Sequence, residues 1–234
     1  MNKILNKDKS SYFEFEKSTS LDLCNFSKYT GWNNLIVIKI NLKKDKNLTY
    51  DFIRSKFSEI YNKEKILVVV KGVLKFSFKK KEFFLNEFDA LNFFSNEYEI
   101  ECKENTEAYL ISAKDLIAHD KDSIFFNFKK DIKPVDLWGG QCISRVYAGE
   151  NLSLVLFDLK PGFKFNDKGH SNEQITWVVE GEMNFYANKI EKKLNKSNAV
   201  DIGANHEHGG ISNGAIGFDV FYPKRDEKKY NKNV

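Results

Sequence analysis

The residues best equipped for chemistry lie in "DKGHSNEQITWVVEGEMNF", residues 167–185, and in "NHEHGG", residues 205–210. The first stretch carries His170 and, four positions on, Gln174; the second carries His206 and His208. Imidazole nitrogens and an amide oxygen can donate lone pairs to a divalent cation, and two or three of them on neighbouring strands would make a metal site. Lys168 stands two residues before His170, where a further ligand could stand. A protonated ammonium has no lone pair to offer and repels a cation a few ångströms away. Whether the site is intact, altered or vestigial depends on the elements that position it.

Those elements recur along the chain. "VVVKGVLKFSFKKKEFFLNEFDALNF", from Val68, aligns without a gap on "WVVEGEMNFYANKIEKKLNKSNAVDI", from Trp177, at an offset of 109 residues. Val69 meets Val178, Val70 meets Val179, Gly72 meets Gly181, Phe76 meets Phe185, Glu82 meets Glu191, Leu85 meets Leu194 and Ala90 meets Ala199. A self-match at fixed offset marks a duplicated unit. Within the second copy, Met183 and Phe185 alternate with Glu182, Asn184 and Tyr186, the period-two pattern of a strand with one buried face. "LSLVLFDL" and "GFDVFYP" read as further strands, and many short strands separated by turns imply a sandwich or a barrel. "TYDFIRSKFSEIYNK" reads as one amphipathic helix, and "SAKDLIAHDKDS" as a linker with room for a helical turn.

Length and composition bound the rest. A chain of 234 residues forms one large domain or two of roughly 110 residues, each able to bury a core. Twenty-one Phe against 3 Pro and 2 Met favours strands over helices. The net charge of +4 comes from 37 basic and 33 acidic residues spread along the chain, which reads as a mixed solvated surface with no nucleic-acid partner. Cys24, Cys102 and Cys142 are odd in number and lack CxxC spacing, against a disulfide framework and for a reducing compartment. The start of the chain lacks a signal-peptide core, and no uncharged apolar run approaches the ~20 residues of a membrane span. The expected location is cytoplasmic, with no membrane partner. No P-loop, GxGxxG, GxSxG or CxxC motif is present, which weighs against nucleotide, hydrolase and zinc-finger functions.

"PGFKFNDKGHSNEQITWVVEGEMNF" followed by "DIGANHEHGGISNGAIGFDVFYP" resembles the paired motifs of the cupin superfamily over about residues 140–223. The first half resembles a cupin only through "VVVKGVLKF" and "LNEFDAL", so the whole resembles a bicupin. It is similar to the bicupin isomerases of bacilysin biosynthesis and to cupins that process unsaturated uronates. The resemblance implies an all-β fold of two tandem cupin (double-stranded β-helix, jelly-roll) barrels. The expected divisions are an N-terminal extension at 1–30, a degenerate barrel at 31–116, a linker at 117–136, a second barrel at 137–224 and a polar tail at 225–234.

Carried over residue by residue, the resemblance makes His170, Gln174 and His208 metal ligands, with Lys168 in place of the first motif histidine. Such a set would take Fe, Mn, Ni or Zn. Asp167 or His206 could complete the coordination; alternatively the motif survives without metal. Lys168 and His206 are the candidate acid–base residues; Lys168 and His170 are two apart, so strand alternation puts them on one face, with the Lys168 side chain close to the ligands. Arg145, Tyr147 and Thr176, on expected barrel strands, are the candidate substrate contacts; a buried Arg calls for an anionic partner, which a substrate carboxylate or an internal acid would supply. In the first copy the ligand positions fall on Tyr61, Lys65 and Glu99, so no metal is expected there. Glu173, next to Gln174, should face away and be structural. The function implied is a metal-assisted isomerase, lyase or dehydratase acting on a small, possibly anionic keto acid or sugar acid. The alternatives are a non-enzymatic bicupin that binds a ligand or supports an assembly, and an Fe(II) dioxygenase. A homodimer is expected.

Overall fold

The structure is a computed structural model. It describes the backbone of 11–15, 18–20 and 24–30, and residues 34–60, 63–78, 80–113, 122–136, 138–187, 190–196 and 198–225 in full. Nearly all of it is antiparallel β-structure. The expected helix is present as Tyr50–Lys56, capped by the Thr49 hydroxyl on the Phe52 amide and followed by a 3-10 turn at Ser58–Ile60. Residues 114–121 of the expected linker lie outside the described residues. Among the described residues no helix is long and apolar enough to cross a membrane. Cys102 and Cys142 are free, buried thiols.

Three sheets carry the fold. Ile124–Asn127, Asp89–Phe93, Lys65–Lys71, Thr106–Ala113, Leu35–Leu42, Cys24–Thr30 and Ser18–Ser20 form a seven-stranded sheet, in that order. Asn47–Thr49, Glu99–Cys102, Leu74–Phe78 and Lys81–Leu85 form a four-stranded sheet over its inner face. In the second half two 15-residue strands, Glu173–Ala187 and His208–Tyr222, run through both layers and gather nine strands into one bent sheet. The bends sit at bulges in their pairing, between Val178 and Glu180 and between Gly181 and Met183. Gly181 has φ +72°, and a Cβ there would lie 1.8 Å from the Gly214 carbonyl oxygen. Gly72, its repeat partner, has φ +83° and faces the Asn105 carbonyl in the same way. The repeated glycine is therefore demanded by backbone approach in both halves. Among the described residues none of the sheets closes on itself in the hydrogen-bonding pattern.

The central strands are buried on both faces, which is why "ILVVV" and "LIVIKI" read as unbroken apolar runs. Leu67 and Val69 point into the first half's own core, with Leu110, Phe76 and Leu85. Ile66, Val68 and Val70 point the other way, into a core shared with Leu154, Trp177, Val179 and Phe218 of the second half. Trp177 anchors that shared core, its ring 5.2 Å from Tyr109 and 5.5 Å from Phe218.

Edge strands are exchanged between the halves. Ser11–Phe15 pairs with Asn198–Ile202 of the second half, and Ile124–Asn127 pairs with Asp89–Phe93 of the first. The expected extension and linker thus supply sheet strands, and the expected division at residue 31 runs between two paired strands, Cys24–Thr30 and Leu35–Leu42. Short edge strands carry too little pattern to be read ahead of the structure.

Two buried glutamates join the halves. Glu64 accepts from the Glu150 and Asn151 amides at 2.9 and 2.8 Å, and from Asn92 Nδ2 at 2.8 Å. Its repeat partner Glu173 accepts from the Asn34 and Leu35 amides at 3.0 and 3.3 Å. Gly149 makes room for the first clasp, since a Cβ there would lie 2.2 Å from Glu64 Oε1. Truncating Glu64 or Glu173 to Ala leaves two amides without a carboxylate. Each variant should lose about 2 kcal/mol or more in urea unfolding; an unchanged midpoint would show that the clasps do not hold the halves together.

Candidate metal centre

Strand pairing builds the site. Lys164–Asp167 runs antiparallel to the start of His208–Tyr222, and Asp167 stands directly opposite His208. The strand stops at Asp167, and Gly169 takes φ +107°, where a Cβ would lie 2.7 Å from the Asn205 carbonyl carbon. That left-handed residue resets the alternation, so His170 returns to the side Asp167 faces. Donor atoms of Asp167, His170 and His208 lie within 4.8 Å of one another.

The tautomers follow from the network. Gln174 Nε2 donates to Thr176 Oγ1 at 2.8 Å and to Asp219 Oδ1 at 3.0 Å, so the amide carbonyl faces His170. Gln174 Oε1 lies 2.9 Å from His170 Nε2, which must then carry the proton. His170 Nδ1 keeps its lone pair and is buried without a hydrogen-bond partner. His208 Nδ1 donates to the His206 carbonyl at 2.9 Å, leaving Nε2 as the basic nitrogen. A buried basic nitrogen with nothing to bond is costly, and a cation would satisfy it. The donor set of two imidazoles and one carboxylate suits a divalent transition ion.

A cavity of about 140 Å³ opens beside these groups. Phe157, Phe163, Phe185 and Phe221 wall it, and its polar lining includes Asp167, Gln174, Thr176, His208, Asp219 and Arg225. The Thr176 hydroxyl donates to Asp219 Oδ1 at 2.6 Å. Burial pulls the His170 imidazole down to about 4, with the Arg225 charge adding to it and the bond to Gln174 opposing it. Burial likewise lowers His208. Burial pushes the Asp219 carboxyl up to about 6 against the hydrogen bonds from Thr176 and Gln174. Burial would raise Asp167 too, but the Gly169 amide and the neighbouring His208 and Arg225 hold it below its usual value. Both imidazoles are thus neutral near pH 7, as ligation requires.

Several expected positions lie elsewhere. Lys168 is not in the cavity: its side chain is 79% exposed and paired with Glu207 at 2.7 Å. The strand ends one residue before it, so the alternation that placed it beside His170 does not apply. His206 is in a loop, with Nδ1 donating to the Ala204 carbonyl at 2.7 Å; its backbone, not its ring, holds His208. Cys142 and Ser144 line the cavity, which turns Arg145 and Tyr147 of the same strand to the opposite face. There the Tyr147 ring stacks 4.1 Å from Phe126 and its hydroxyl accepts from Asn92. Thr176 lines the cavity as expected, while Gln174 commits its carbonyl to His170 and Asp167 offers the oxygen donor. In the first half Tyr61 lies outside the described residues, Lys65 is buried with Nζ donating to the Lys63 carbonyl at 2.7 Å, and Glu99 is exposed.

Two residues of the site were not foreseen. Asp219 sits within "GFDVFYP", where only an acid in an otherwise apolar strand marked it. Arg225 fell in the expected polar tail, yet its Nη2 lies 3.2 Å from Asp167 Oδ2.

Two outcomes test this geometry. Lys168→His should leave metal affinity within about twofold of the parent, whereas Asp167→Asn should lower it at least about tenfold by titration. Unfolded His170 takes its proton near 6.5 and folded His170 near 4, so its stabilising contribution is present above 6.5 and lost as pH falls towards 4. Asp219, raised on folding, contributes the opposite slope over part of this range. The difference in unfolding free energy between the parent and His170→Gln isolates the first effect. It should shrink as pH falls from 6.5 to 4; a flat difference would contradict a buried neutral imidazole.

No protein-family model and no curated protein matches this sequence. Solved structures do match. The protein Ylba from E. coli superposes with a TM-score of 0.73 at 11% identity, over 96% of each chain. A cupin 2 conserved barrel domain protein from Leptotrichia buccalis gives 0.61 at 16% identity, over 89% of this chain and 97% of that one. Bacillus subtilis oxalate decarboxylase gives 0.71 at 8% identity, over 92% of this chain and 78% of that one. Identities this low speak to fold alone. The chain therefore shares its fold with these structures, a cupin 2 conserved barrel domain protein among them.

Proposed function

We propose that the chain is a tandem cupin whose second half binds one divalent metal ion and moves a proton on a small polar acid, as an isomerase, lyase or dehydratase does. The observation that carries this reading is the convergence of Asp167, His170 and His208 beside a cavity in the second half. The repeat makes the contrast with the first half direct. Thr176 pairs across the strands with Asp219, and the equivalent pair in the first half is Leu67 with Leu110, both buried in core.

A metal held by Asp167, His170 and His208 would supply Lewis acidity toward a carbonyl oxygen. The chain's own residues supply the rest. Gln174 fixes the His170 ring by accepting at Nε2 and is itself held by Thr176 and Asp219. Asp219, its carboxyl at about 6, can take or give a proton near neutrality. Its Oδ1 accepts from Thr176 and Gln174, and it lies in the cavity wall. The phenylalanine walls make the surroundings apolar, where charge interactions are stronger than in water. Asp219 thus takes the acid–base role expected of Lys168 and His206.

Metal analysis and proton exchange test this. The purified protein should carry about one equivalent of divalent metal per chain, and His208→Ala should lose it. Short-chain 2-keto acids incubated with the loaded protein in D₂O should gain deuterium beside the carbonyl. Asp219→Asn should keep the metal and slow that exchange by about a hundredfold or more. A parent that binds no metal after reconstitution would favour a non-enzymatic binder, and oxygen uptake by the Fe(II) form would favour a dioxygenase.

A further inference from the structure

The cavity has a permanent cation in its wall that the proposed chemistry leaves unused. Among the described lining residues only Arg225 carries a fixed positive charge. Its side chain is 18% exposed, its guanidinium lies 5.1 Å from the centre of the Phe221 ring, and Nη2 meets Asp167 Oδ2 at 3.2 Å. The segment that carries it is tied down through residues 223–225. Asn172 Nδ2 donates to the Pro223 carbonyl at 2.6 Å, Lys224 Nζ to the Gly149 carbonyl at 3.2 Å, and the Arg225 amide to Ser153 Oγ at 2.9 Å.

Asp167 therefore answers to two cations. It pairs with Arg225, and it is one of the three groups that converge as metal donors. In the metal-free protein the Asp167 carboxylate offsets the Arg225 charge. A divalent ion drawing on the same carboxylate leaves the cavity with excess positive charge in an apolar enclosure, where charge interactions are strong. An anion entering the cavity relieves that excess. The guanidinium presents a planar fork that matches a carboxylate with two parallel bonds. The cavity, about 140 Å³ and walled by phenylalanines, has room for a short-chain acid.

We propose that Arg225 anchors the carboxylate of a short-chain organic acid, and that metal and acid bind cooperatively because Arg225 and the metal share Asp167. The inference rests on the metal reading above and adds to it a substrate class and the residue that selects it. Coupling of this kind is reciprocal: the acid tightens the metal as much as the metal tightens the acid.

Mn(II) and pyruvate are the probes, with the neutral pyruvamide and inorganic phosphate as controls. Mn(II) occupancy is read by electron paramagnetic resonance and acid affinity by calorimetry on the full chain. The Mn(II)-loaded parent should bind pyruvate at least about tenfold tighter than the metal-free parent, and pyruvamide should lose that gain. Arg225→Gln should bind Mn(II) alone at least as tightly as the parent, since a repelling charge is gone, yet lose the gain for pyruvate. Arg225→Lys, which keeps the charge without the fork, should recover part of it. A structural ion pair alone would lower the melting temperature of the variants and leave the ratio of affinities untouched, and that result overturns the inference. So does pyruvamide matching pyruvate, or phosphate binding in preference to it. A parent that binds Mn(II) but shows no coupling overturns the inference and leaves the metal reading standing; a parent that binds no Mn(II) overturns both.

Discussion

Among the described residues a buried carboxylate reaches across to the backbone of the other half twice, and the rest of the structure hangs from it. Stripping water from a carboxylate is costly unless hydrogen bonds replace it. Glu64 and Glu173 recover the cost only when the halves are docked, because their backbone partners, Glu150 and Asn151 on one side and Asn34 and Leu35 on the other, belong to the opposite half. The docked arrangement closes the shared core around Trp177 and Tyr109. It also sets the phase of each strand. With Glu173 facing the other half, Gln174 must face its own interior, and Thr176 follows two residues later. The residue that joins the halves therefore also aims the site.

The same scaffold carries two interiors of different character. The first half fills its interior with Leu67, Leu110, Phe76 and Leu85. The second keeps the aromatic and aliphatic floor, Phe185 and Leu194, but places Thr176 and Asp219 where Leu67 and Leu110 stand. A filled interior stabilises, whereas a polar-lined cavity costs packing and needs every polar group bonded. Dividing those tasks between two welded copies lets one half supply stability while the other holds an open pocket.

The all-β character of the chain was readable from the sequence because its strongest signals are local or periodic. The repeat predicted equivalent glycine turns at Gly72 and Gly181, and period two predicted the strand at Met183–Phe185. The exchanged edge strands were not readable, since pairing partners more than a hundred residues away leave no local trace. At the site, the resemblance pointed to His170, His208 and Gln174, but Gln174, expected as a metal ligand, turns its carbonyl to His170, and Asp167 stands beside the two histidines in its place. Lys168 misled because alternation was extended through Gly169, where the backbone turns left-handed. Arg145 and Tyr147 misled because their strand is buried or half-buried along its whole length, with no exposed face to reveal its phase. Arg225 was hidden in a charged terminal run, indistinguishable by composition from the lysines that follow it.

The account stands or falls on whether three donors form one centre. Asp167 opposite His208, and His170 brought back by Gly169, leave a buried basic nitrogen that a cation would complete. Anomalous diffraction from crystals of the Mn(II)-loaded protein tests this most directly. A single strong peak in the second half, within bonding distance of Asp167, His170 Nδ1 and His208 Nε2, is the predicted result. A map with no peak there, or with the ion bound by Lys65, Glu99 and their neighbours in the first half, would contradict it.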